Sequence, residues 1–244
     1  MIQLSKRLMA VSSMVTEGNR LADVGTDHGY IPIYLCQKGH IPSAIAMDIG
    51  KGPLARAQEH IAKYELEERI STRLSDGVKA LAPGEADSVV IAGMGGGLVQ
   101  KILEEGKTVL DGISELILQP QSEIGEVRLY LQEHGYRITE EKMVLEDGKY
   151  YPMMHVIHGH MEPLSDVELK YGKNLLEQRH PVLKDYLEKE RQNLEKIREN
   201  LVSISSEKGE TRKREVEVLI EQNSRAQLLI NTAKLEEETC FAEN

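Results

Sequence analysis

A short apolar run that breaks into a glycine turn is the part of the chain best suited to binding a ligand. Gly25 and Gly29 let the backbone approach a ligand closely, and the helix predicted after the turn presents free N–H groups there. The same turn carries two carboxylates and an imidazole, those of Asp23, Asp27 and His28. The pattern predicts a nucleoside-binding turn between a strand and a helix.

The turn is poorly suited to a pyrophosphate. Its two glycines lie four residues apart, whereas dinucleotide-binding turns follow Gly-x-Gly-x-x-Gly. A phosphate held there would also meet the carboxylates of Asp23 and Asp27. S-adenosylmethionine has no phosphates, is cationic at sulfur and is zwitterionic at its amino-acid end. We therefore predict S-adenosylmethionine as the cofactor, with the turn binding it through Asp23, Gly25, Thr26 and Gly29.

Residues at three later strand ends extend this site. Asp48 ends the second predicted strand, where an acidic side chain can accept hydrogen bonds from both ribose hydroxyls. Asp76 follows the third, where a carboxylate or a backbone group can accept the adenine amine. Because the carboxyl ends of parallel strands share one sheet edge, they belong to one site. The further cofactor-binding candidates are Asp48, Ile49, Asp76, Gly77, Gly93 and Met94.

Each of these residues also has an ordinary structural explanation. Asp23 is compatible with a helix cap, His28 with a turn histidine, and 95–97 with a flexible glycine turn. Asp48 and Asp76, taken singly, resemble loop carboxylates. Their order after successive strands favours the cofactor site.

Alternating strands and helices position these residues. The predicted strands are 21–24, 43–48, 70–74, 88–92 and 115–118, and the predicted helices 4–15, 30–38, 52–64, 98–105 and 125–133. Two further strands, 136–146 and 150–157, flank an Asp-Gly turn typical of a hairpin. The repeated β-α units predict an α/β fold, with a doubly wound, mostly parallel sheet and an antiparallel edge.

The last third of the chain differs in character. Residues 165–235 are rich in Glu, Lys, Arg and Leu, and apolar residues follow two heptad seams. The seams are 183, 187, 190, 194, 197, 201 and 204, and 216, 219, 223, 226, 230 and 233. A turn-forming stretch, 205–210, separates them, so we predict an antiparallel coiled-coil hairpin. The expected domains are 1–160 for cofactor binding and 161–244 for the helical coiled coil.

Composition bounds the function. The net charge of −10 and a pI of about 5.4 do not indicate a nucleic-acid binder. Two cysteines are too few for a disulfide framework. His155, His158 and His160 alternate along a strand, but no carboxylate or cysteine completes a metal site, so we predict no metal. The chain has neither a membrane-spanning run nor a signal peptide, so we expect a cytoplasmic protein that does not bind membranes.

Three motifs resemble the bacterial tRNA (adenine-22-N1)-methyltransferase family. They are Ala22-Asp-Val-Gly-Thr-Asp-His-Gly-Tyr30, Ile91-Ala-Gly-Met-Gly-Gly96 and Lys149-Tyr-Tyr-Pro152. Members join a class I methyltransferase domain, which is Rossmann-like, to a C-terminal coiled coil, and the resemblance covers nearly the whole chain. It implies that S-adenosylmethionine donates a methyl group to N1 of an adenine near the tRNA D-arm.

Asp27 and His28 are the catalytic candidates. Adenine N1 carries a lone pair, so the enzyme must extrude the base, align N1 with the methyl group and tolerate a cationic product. Asp27 near the exocyclic amine would stabilise the positive charge that builds on the ring, and His28 would hold Asp27 or the base. Tyr30 and Tyr34 are candidates for stacking, although core packing explains them as well. The Asn/Asp-Pro-Pro-aromatic motif of adenine-N6 enzymes is absent after strand four.

An acidic chain can still bind tRNA through a local basic surface. The candidates are Lys6, Arg7, Lys208, Arg212, Lys213 and Arg214. The helical domain would then contact tRNA, although a solvated Glu/Lys-rich face is the ordinary explanation. We expect a monomer, because the turn between the seams is long enough for pairing within one chain.

Two other functions fit the same features. One is a class I methyltransferase acting on a small molecule or a protein, which agrees with the acidic pI. The other is a non-catalytic adenosyl-binding module whose hairpin docks a partner. A dinucleotide-dependent oxidoreductase ranks last because the turn offers carboxylates to a pyrophosphate.

Overall fold

The computed structural model of the chain describes residues 2–202 and 206–240. They divide into two compact units, Met1–Pro163 and Leu164–Asn244. Unit 1 contains one seven-stranded sheet, with the strands β1 Leu21–Val24, β2 Ala44–Asp48, β3 Ile70–Leu74, β4 Ser88–Met94, β5 Glu115–Pro120, β6 Tyr136–Glu146 and β7 Lys149–His158. The spatial order is β3-β2-β1-β4-β5-β7-β6.

The sheet is parallel except at one edge. β1 lies between β2 and β4, and the pairs from β3 to β5 are all parallel. β7 and β6 add an antiparallel hairpin. The predicted doubly wound, mostly parallel sheet is confirmed. Some strand bounds differ from the predictions by one or two residues. β4 and β5 each continue two residues further, and a bulge between them accommodates Gly93.

Alternate residues of the central strands pack on opposite faces of the sheet. Val90 and Ile117 belong to a core with the first three helices, whereas Val89 and Leu116 belong to a core with the next helices. This two-sided burial explains why the strands read as continuous apolar runs. The helices of unit 1 are α1 Lys6–Ser12, α2 Tyr30–Gln37, α3 Lys51–Lys63, α4 Gly96–Glu105, α5 Lys107–Leu110 and α6 Ile124–Glu133.

One helix of unit 1 is much shorter than predicted, and one was not predicted. α1 is shorter than the predicted 4–15 because the Ser5 hydroxyl accepts from Leu8 N and starts the helix at Lys6. It ends at Ser12, whose hydroxyl donates to the Met9 carbonyl. The single turn α5 was not predicted because four residues are too few to show helical periodicity.

Buried charged groups attach the antiparallel hairpin to the rest of unit 1. The guanidinium of Arg128 on α6 pairs with Glu141 on β6 at 2.8 Å, and both side chains are 1% exposed. Glu115 at the start of β5 accepts from His155 of β7 at 2.8 Å, and from Ser88 and Thr16. Although burial raises the pKa of Glu115, these hydrogen bonds outweigh it and lower the value to about 2.

Unit 2 is helical, as predicted, and contains two helices that periodicity did not reveal. Its helices are α7 Asp166–Tyr171, α8 Lys173–Glu177, α9 Pro181–Leu201 and α10 Glu207–Cys240. α7 starts at a capping box, in which the Ser165 hydroxyl and the Glu168 carboxylate satisfy each other's backbone N–H groups. The capping box can be recognised in the sequence, but the six-residue helix after it is too short to show helical periodicity.

The two heptad seams meet between α9 and α10. Most members of both seams are buried, with Leu187 and Val216 almost completely so, but Ile197 is 36% exposed, contrary to the pattern. Positions 204 and 233 lie outside the described side chains. The polar seam residues are paired: Glu190 accepts from Tyr171 at 2.6 Å and from Asn223 at 2.9 Å. Such a network favours one register of the two helices, because a shifted register would leave these groups unpaired.

The predicted turn 205–210 was too long. α10 already begins at Glu207, because the Ser206 hydroxyl accepts from Gly209 N and caps the helix. Residues 203–205 lie outside the described chain. None of the helices in the described residues has the length and apolar character that a membrane span requires.

Candidate active site

The turn after β1 is held in a left-handed conformation at three positions. Gly25, His28 and Gly29 have φ values of +75°, +69° and +66°. The N–H groups of Gly25 and Thr26 donate to the Met47 carbonyl at 2.8 and 2.9 Å, which docks the turn on the end of β2. The turn therefore lies across the carboxyl ends of β1 and β2, where ligands of doubly wound sheets bind.

The backbone angle of Gly25 favours glycine. Its φ of +75° lies in the left-handed region, which residues with a Cβ atom rarely adopt. A Cβ atom here would also meet the terminal methyl group of Met94, which ends β4, so that flexible side chain would have to move.

A cavity of about 340 Å³ opens beside this contact. Its walls include six of the predicted site residues, Asp23, Gly25, Thr26, Asp27, His28 and Gly93. Tyr30, one of the two predicted stacking residues, also lines it, whereas Tyr34 lies in the core with the Lys38 ammonium 5.8 Å from its ring centroid. The turn and the end of β4 are therefore brought together as predicted.

Two polar side chains in this cavity are almost completely buried. Asp23 is 6% and Thr26 3% exposed. Burial raises the pKa of Asp23 to about 6; the nearby Thr26 hydroxyl opposes this shift and the Asp48 carboxylate adds to it. Among the described residues the Thr26 hydroxyl makes no hydrogen bond of ordinary length and angle. Both groups suit a ligand that brings its own hydrogen-bond donors and a positive charge.

Asp27 lies at the mouth of the cavity and is about half exposed. Arg56 of α3 donates to its Oδ1 through Nε at 3.0 Å and through Nη2 at 2.8 Å, and His28 Nε2 lies 3.4 Å from the same oxygen. Within the described part of the chain, Asp27 Oδ2 accepts no hydrogen bond. This oxygen is free to accept a proton donor from a ligand.

The start of α4, which follows the second glycine motif, is closed to anions. The N–H of Gly97 donates to the Glu123 carboxylate at 2.9 Å, and that of Gly96 donates to the Ser122 hydroxyl at 3.3 Å. The protein's own carboxylate thus occupies the place where a helix N-terminus would bind phosphate. This arrangement agrees with a ligand that has no phosphates.

The remaining predicted cofactor residues lie outside the cavity. Asp48 accepts from Gly50 N at 2.6 Å, and Ile49 is 71% exposed. Gly29 packs against Ala57, while Met94 borders the cavity only through its contact with Gly25. These residues still lie at the same edge of the sheet.

Asp76 and Gly77 pack against α4 and border a separate, much smaller cavity. The Lys79 ammonium donates to the Asp76 carboxylate at 2.6 Å and lowers the pKa of that carboxyl. Lys79 also pairs with Glu105 on α4. The structure therefore does not bring Asp76 into the cavity at the β1 turn.

Sequence reasoning missed other residues of the cavity wall, chief among them Arg7 and Gln121. The Glu146 carboxylate accepts from Lys6 N at 2.6 Å and so fixes the start of α1. Arg7, which is also a predicted RNA contact, donates to Gln119 at 2.9 Å and lies 5.6 Å from the Tyr151 ring centroid. No local motif identifies Arg7, because only the packing of α1 on β6 brings it to the site.

The described residues contain no group of three or more histidine, cysteine or acidic side chains arranged to hold a metal ion. His155, one of the alternating histidines, is bonded to Glu115.

Comparisons with known proteins agree on one family. The family model for tRNA (adenine(22)-N(1))-methyltransferase matches residues 21–225. The Bacillus subtilis (strain 168) tRNA (adenine(22)-N(1))-methyltransferase is 40% identical over 153 residues, 63% of this chain and 64% of that protein. The matched segment thus spans slightly less than two thirds of that relative.

Solved structures match over most of the chain. A Streptococcus pneumoniae protein in complex with S-adenosyl-L-methionine has a TM-score of 0.83 and 34% identity, and the match covers 92% of this chain and 100% of that one. The M. capricolum protein TrmK in complex with its cofactor product S-adenosyl-homocysteine has a TM-score of 0.82 and 29% identity, covering 94% of this chain and 100% of that one.

The raised pKa of Asp23 predicts a pH-dependent cost to stability. Between the unfolded pKa of 3.8 and the folded pKa of about 6, the native state binds more protons, so the free energy of unfolding falls as pH rises. The total cost is about 3 kcal/mol above this window. We expect Asp23→Asn to stabilise the unliganded protein by up to about 3 kcal/mol at pH 7.5 and by far less at pH 4.

Urea unfolding followed by circular dichroism at both pH values measures this gain. Asp147→Asn, in the exposed hairpin turn, is the control and should have the same effect at both values. An equal gain for Asp23→Asn at pH 4 and pH 7.5 would contradict the assignment.

Proposed function

The chain belongs to the tRNA (adenine(22)-N(1))-methyltransferase family, and we propose on this basis that it transfers a methyl group from S-adenosylmethionine to N1 of adenine 22 in tRNA. The observation that carries the proposal is the cavity at the β1 turn, which offers a buried carboxylate and a buried hydroxyl. The family match over 21–225 supports the same reaction.

The cavity residues fit the amino-acid end of S-adenosylmethionine, which supplies the methyl group when bound. Asp23 and Arg7 face the same cavity with opposite charges, which complement an ammonium and a carboxylate. Thr26, buried and without a hydrogen bond of ordinary length and angle in the described residues, is available to hydrogen-bond the ligand. The other cofactor-binding residues we propose are Gly25, Gly29, Asp48, Ile49, Asp76, Gly77, Gly93 and Met94.

The adenosine half of the cofactor is assigned to Asp48, Ile49, Asp76 and Gly77 by their place at the sheet edge alone. Asp48 lies near enough to Asp23 to affect its pKa, which supports a shared site. For Asp76, the ion pair with Lys79 means that the backbone of 76–77, more than the carboxylate, would meet the adenine amine.

Asp27 is the proposed catalytic carboxylate. Methylation of N1 gives the adenine ring a positive charge that is shared with its exocyclic amine. Asp27 Oδ2 can accept a hydrogen bond from that amine, while Arg56 and His28 hold Oδ1. A hydrogen bond that strengthens as charge develops lowers the barrier and not only the binding energy.

We propose that the helical domain contacts tRNA. The proposed domains are 1–160 and 161–244, and their boundary lies three residues before the division between the two compact units. Lys208, Arg212, Lys213 and Arg214 lie in the first turns of α10. Arg212 and Lys213 form ion pairs with Glu215 and Glu210 that are largely exposed, so water screens them and the cations remain able to attract phosphates. We propose a cytoplasmic monomer whose partner is tRNA.

The test of the reaction uses purified chain, S-adenosylmethionine and an unmodified tRNA transcript. We expect 1-methyladenosine in the nuclease digest by mass spectrometry, and none when adenine 22 of the transcript is replaced by guanine. N6-methyladenosine, or 1-methyladenosine elsewhere, would contradict the proposed position. Cofactor binding without any RNA methylation would favour a small-molecule or protein methyltransferase, or a non-catalytic module.

Asp27→Asn keeps the shape of the side chain and removes its charge. We expect kcat for tRNA methylation to fall about 10- to 100-fold, because the developing positive charge loses its carboxylate. The KM for S-adenosylmethionine should change by less than about threefold. Asp147→Asn is the matched control, and an unchanged kcat for Asp27→Asn would exclude the proposed role.

Replacing the four basic residues of α10 by glutamine tests the tRNA contact. We expect the KM for tRNA to rise about tenfold or more, with a shallower dependence on salt, because fewer phosphates are neutralised. Lys63→Gln at the end of α3 is the control, since Lys63 is exposed and is not among the residues that line the cavity. If both KM and the salt dependence stay unchanged, α10 has another role.

A further inference from the structure

Helix α3 presents two side chains, one turn apart, to the dipeptide Asp27-His28. Arg56 donates twice to the Asp27 carboxylate, and His60 Nδ1 lies 3.1 Å from the His28 carbonyl oxygen. Between them, Ala57 packs against the position where a Gly29 Cβ would be. One face of α3 therefore contacts three successive residues of the turn.

The bond from His60 holds an uncommon backbone conformation. His28 has a φ of +69°, a region that side chains other than glycine rarely adopt. Its carbonyl oxygen can only accept, so His60 Nδ1 must carry the proton and donate it. A donor fixed on this carbonyl stabilises the left-handed conformation against the extended ones that His28 would otherwise prefer.

The ring of His60 also supports the two rings that face the cavity. The ring centroids of His28 and Tyr30 are 5.0 Å apart, and His60 lies 5.1 Å from the first and 5.4 Å from the second. The three separations are nearly equal, so the rings form a triangular cluster and not a linear stack. His28 and Tyr30 line the cavity, whereas His60 is behind them.

We propose that His60 is a positioning residue for methyl transfer, acting through His28, with Arg56 acting in the same way on Asp27. The inference rests on the proposed function, because the turn matters to the reaction only if the target base enters this cavity. His60 touches neither substrate, and its role is to keep the turn in the conformation that places Asp27 and the two rings at the cavity mouth.

Two substitutions separate the hydrogen bond of His60 from its ring. His60→Asn keeps an N–H donor near the position of Nδ1 and removes the ring, while His60→Phe keeps a ring and removes the donor. His60→Ala removes both. Glu59→Gln, exposed on the same helix and next to His60, is the matched control.

Steady-state methylation of the tRNA transcript is the measurement. For His60→Ala we expect kcat to fall about tenfold or more, with the KM and the calorimetric affinity for S-adenosylmethionine within about threefold of the parent. His60→Asn should recover most of kcat, and His60→Phe should not. Glu59→Gln should match the parent.

Three results would overturn the proposal. They are a kcat for His60→Ala within twofold of the parent, a loss of cofactor affinity equal to the loss of kcat, or full activity of His60→Phe with none recovered by His60→Asn. If the parent chain methylates no tRNA, the proposed function fails separately. Hydrogen exchange of the 27–30 amides then tests whether His60 holds the turn. These amides should exchange faster in His60→Ala than in Glu59→Gln, and equal rates would overturn the positioning role.

Discussion

The left-handed turn after β1 is the constraint on which the geometry of the site depends. β1 and β4 are hydrogen-bonded neighbours in the sheet, and the chain can turn across their carboxyl ends because Gly25 accepts a φ of +75°. The chain order of the sheet reverses between these two strands, so the connections leave them in opposite directions and a cavity opens between. The turn then needs external support, because three of its residues are left-handed and one of them is a histidine.

The acidic residues around the site have different partners, and these partners limit which ligands can bind. Glu123 caps α4 and excludes an anion there, while Asp27 forms an ion pair with Arg56. Asp23 has no cationic partner among the described residues and is buried, so its charge costs free energy until a cation arrives. Arg7, which carries the opposite charge, faces the same cavity. The cavity is therefore complementary to a zwitterion, although the chain as a whole is acidic.

The sequence predicted the strands better than the contacts between distant elements. β1 and β3 have the predicted bounds. β1 is buried throughout and appears in the sequence as a short, mainly apolar run that ends at a glycine. The site turn could be recognised in the sequence because its residues are consecutive. Arg7 and His60 could not be recognised, because each reaches the site from a helix whose packing no local pattern encodes. The strand end before Asp76 was predicted correctly, but no local pattern shows that Lys79, three residues later, holds the Asp76 carboxylate near α4.

The chemistry of the proposed reaction explains why the site consists of contacts that hold loops in place. Adenine N1 attacks through its own lone pair, so no general base has to remove a proton, and the rate depends on alignment and on charge stabilisation. Alignment is lost if the turn can relax to extended conformations. A hydrogen bond on the His28 carbonyl, two bonds from Arg56 to Asp27 and the bond from Gly25 N to the Met47 carbonyl each oppose that relaxation at a different residue. Helix α3 and strand β2 thus converge on a five-residue turn, and the precision of the site comes from the agreement of these contacts and not from any one strong interaction.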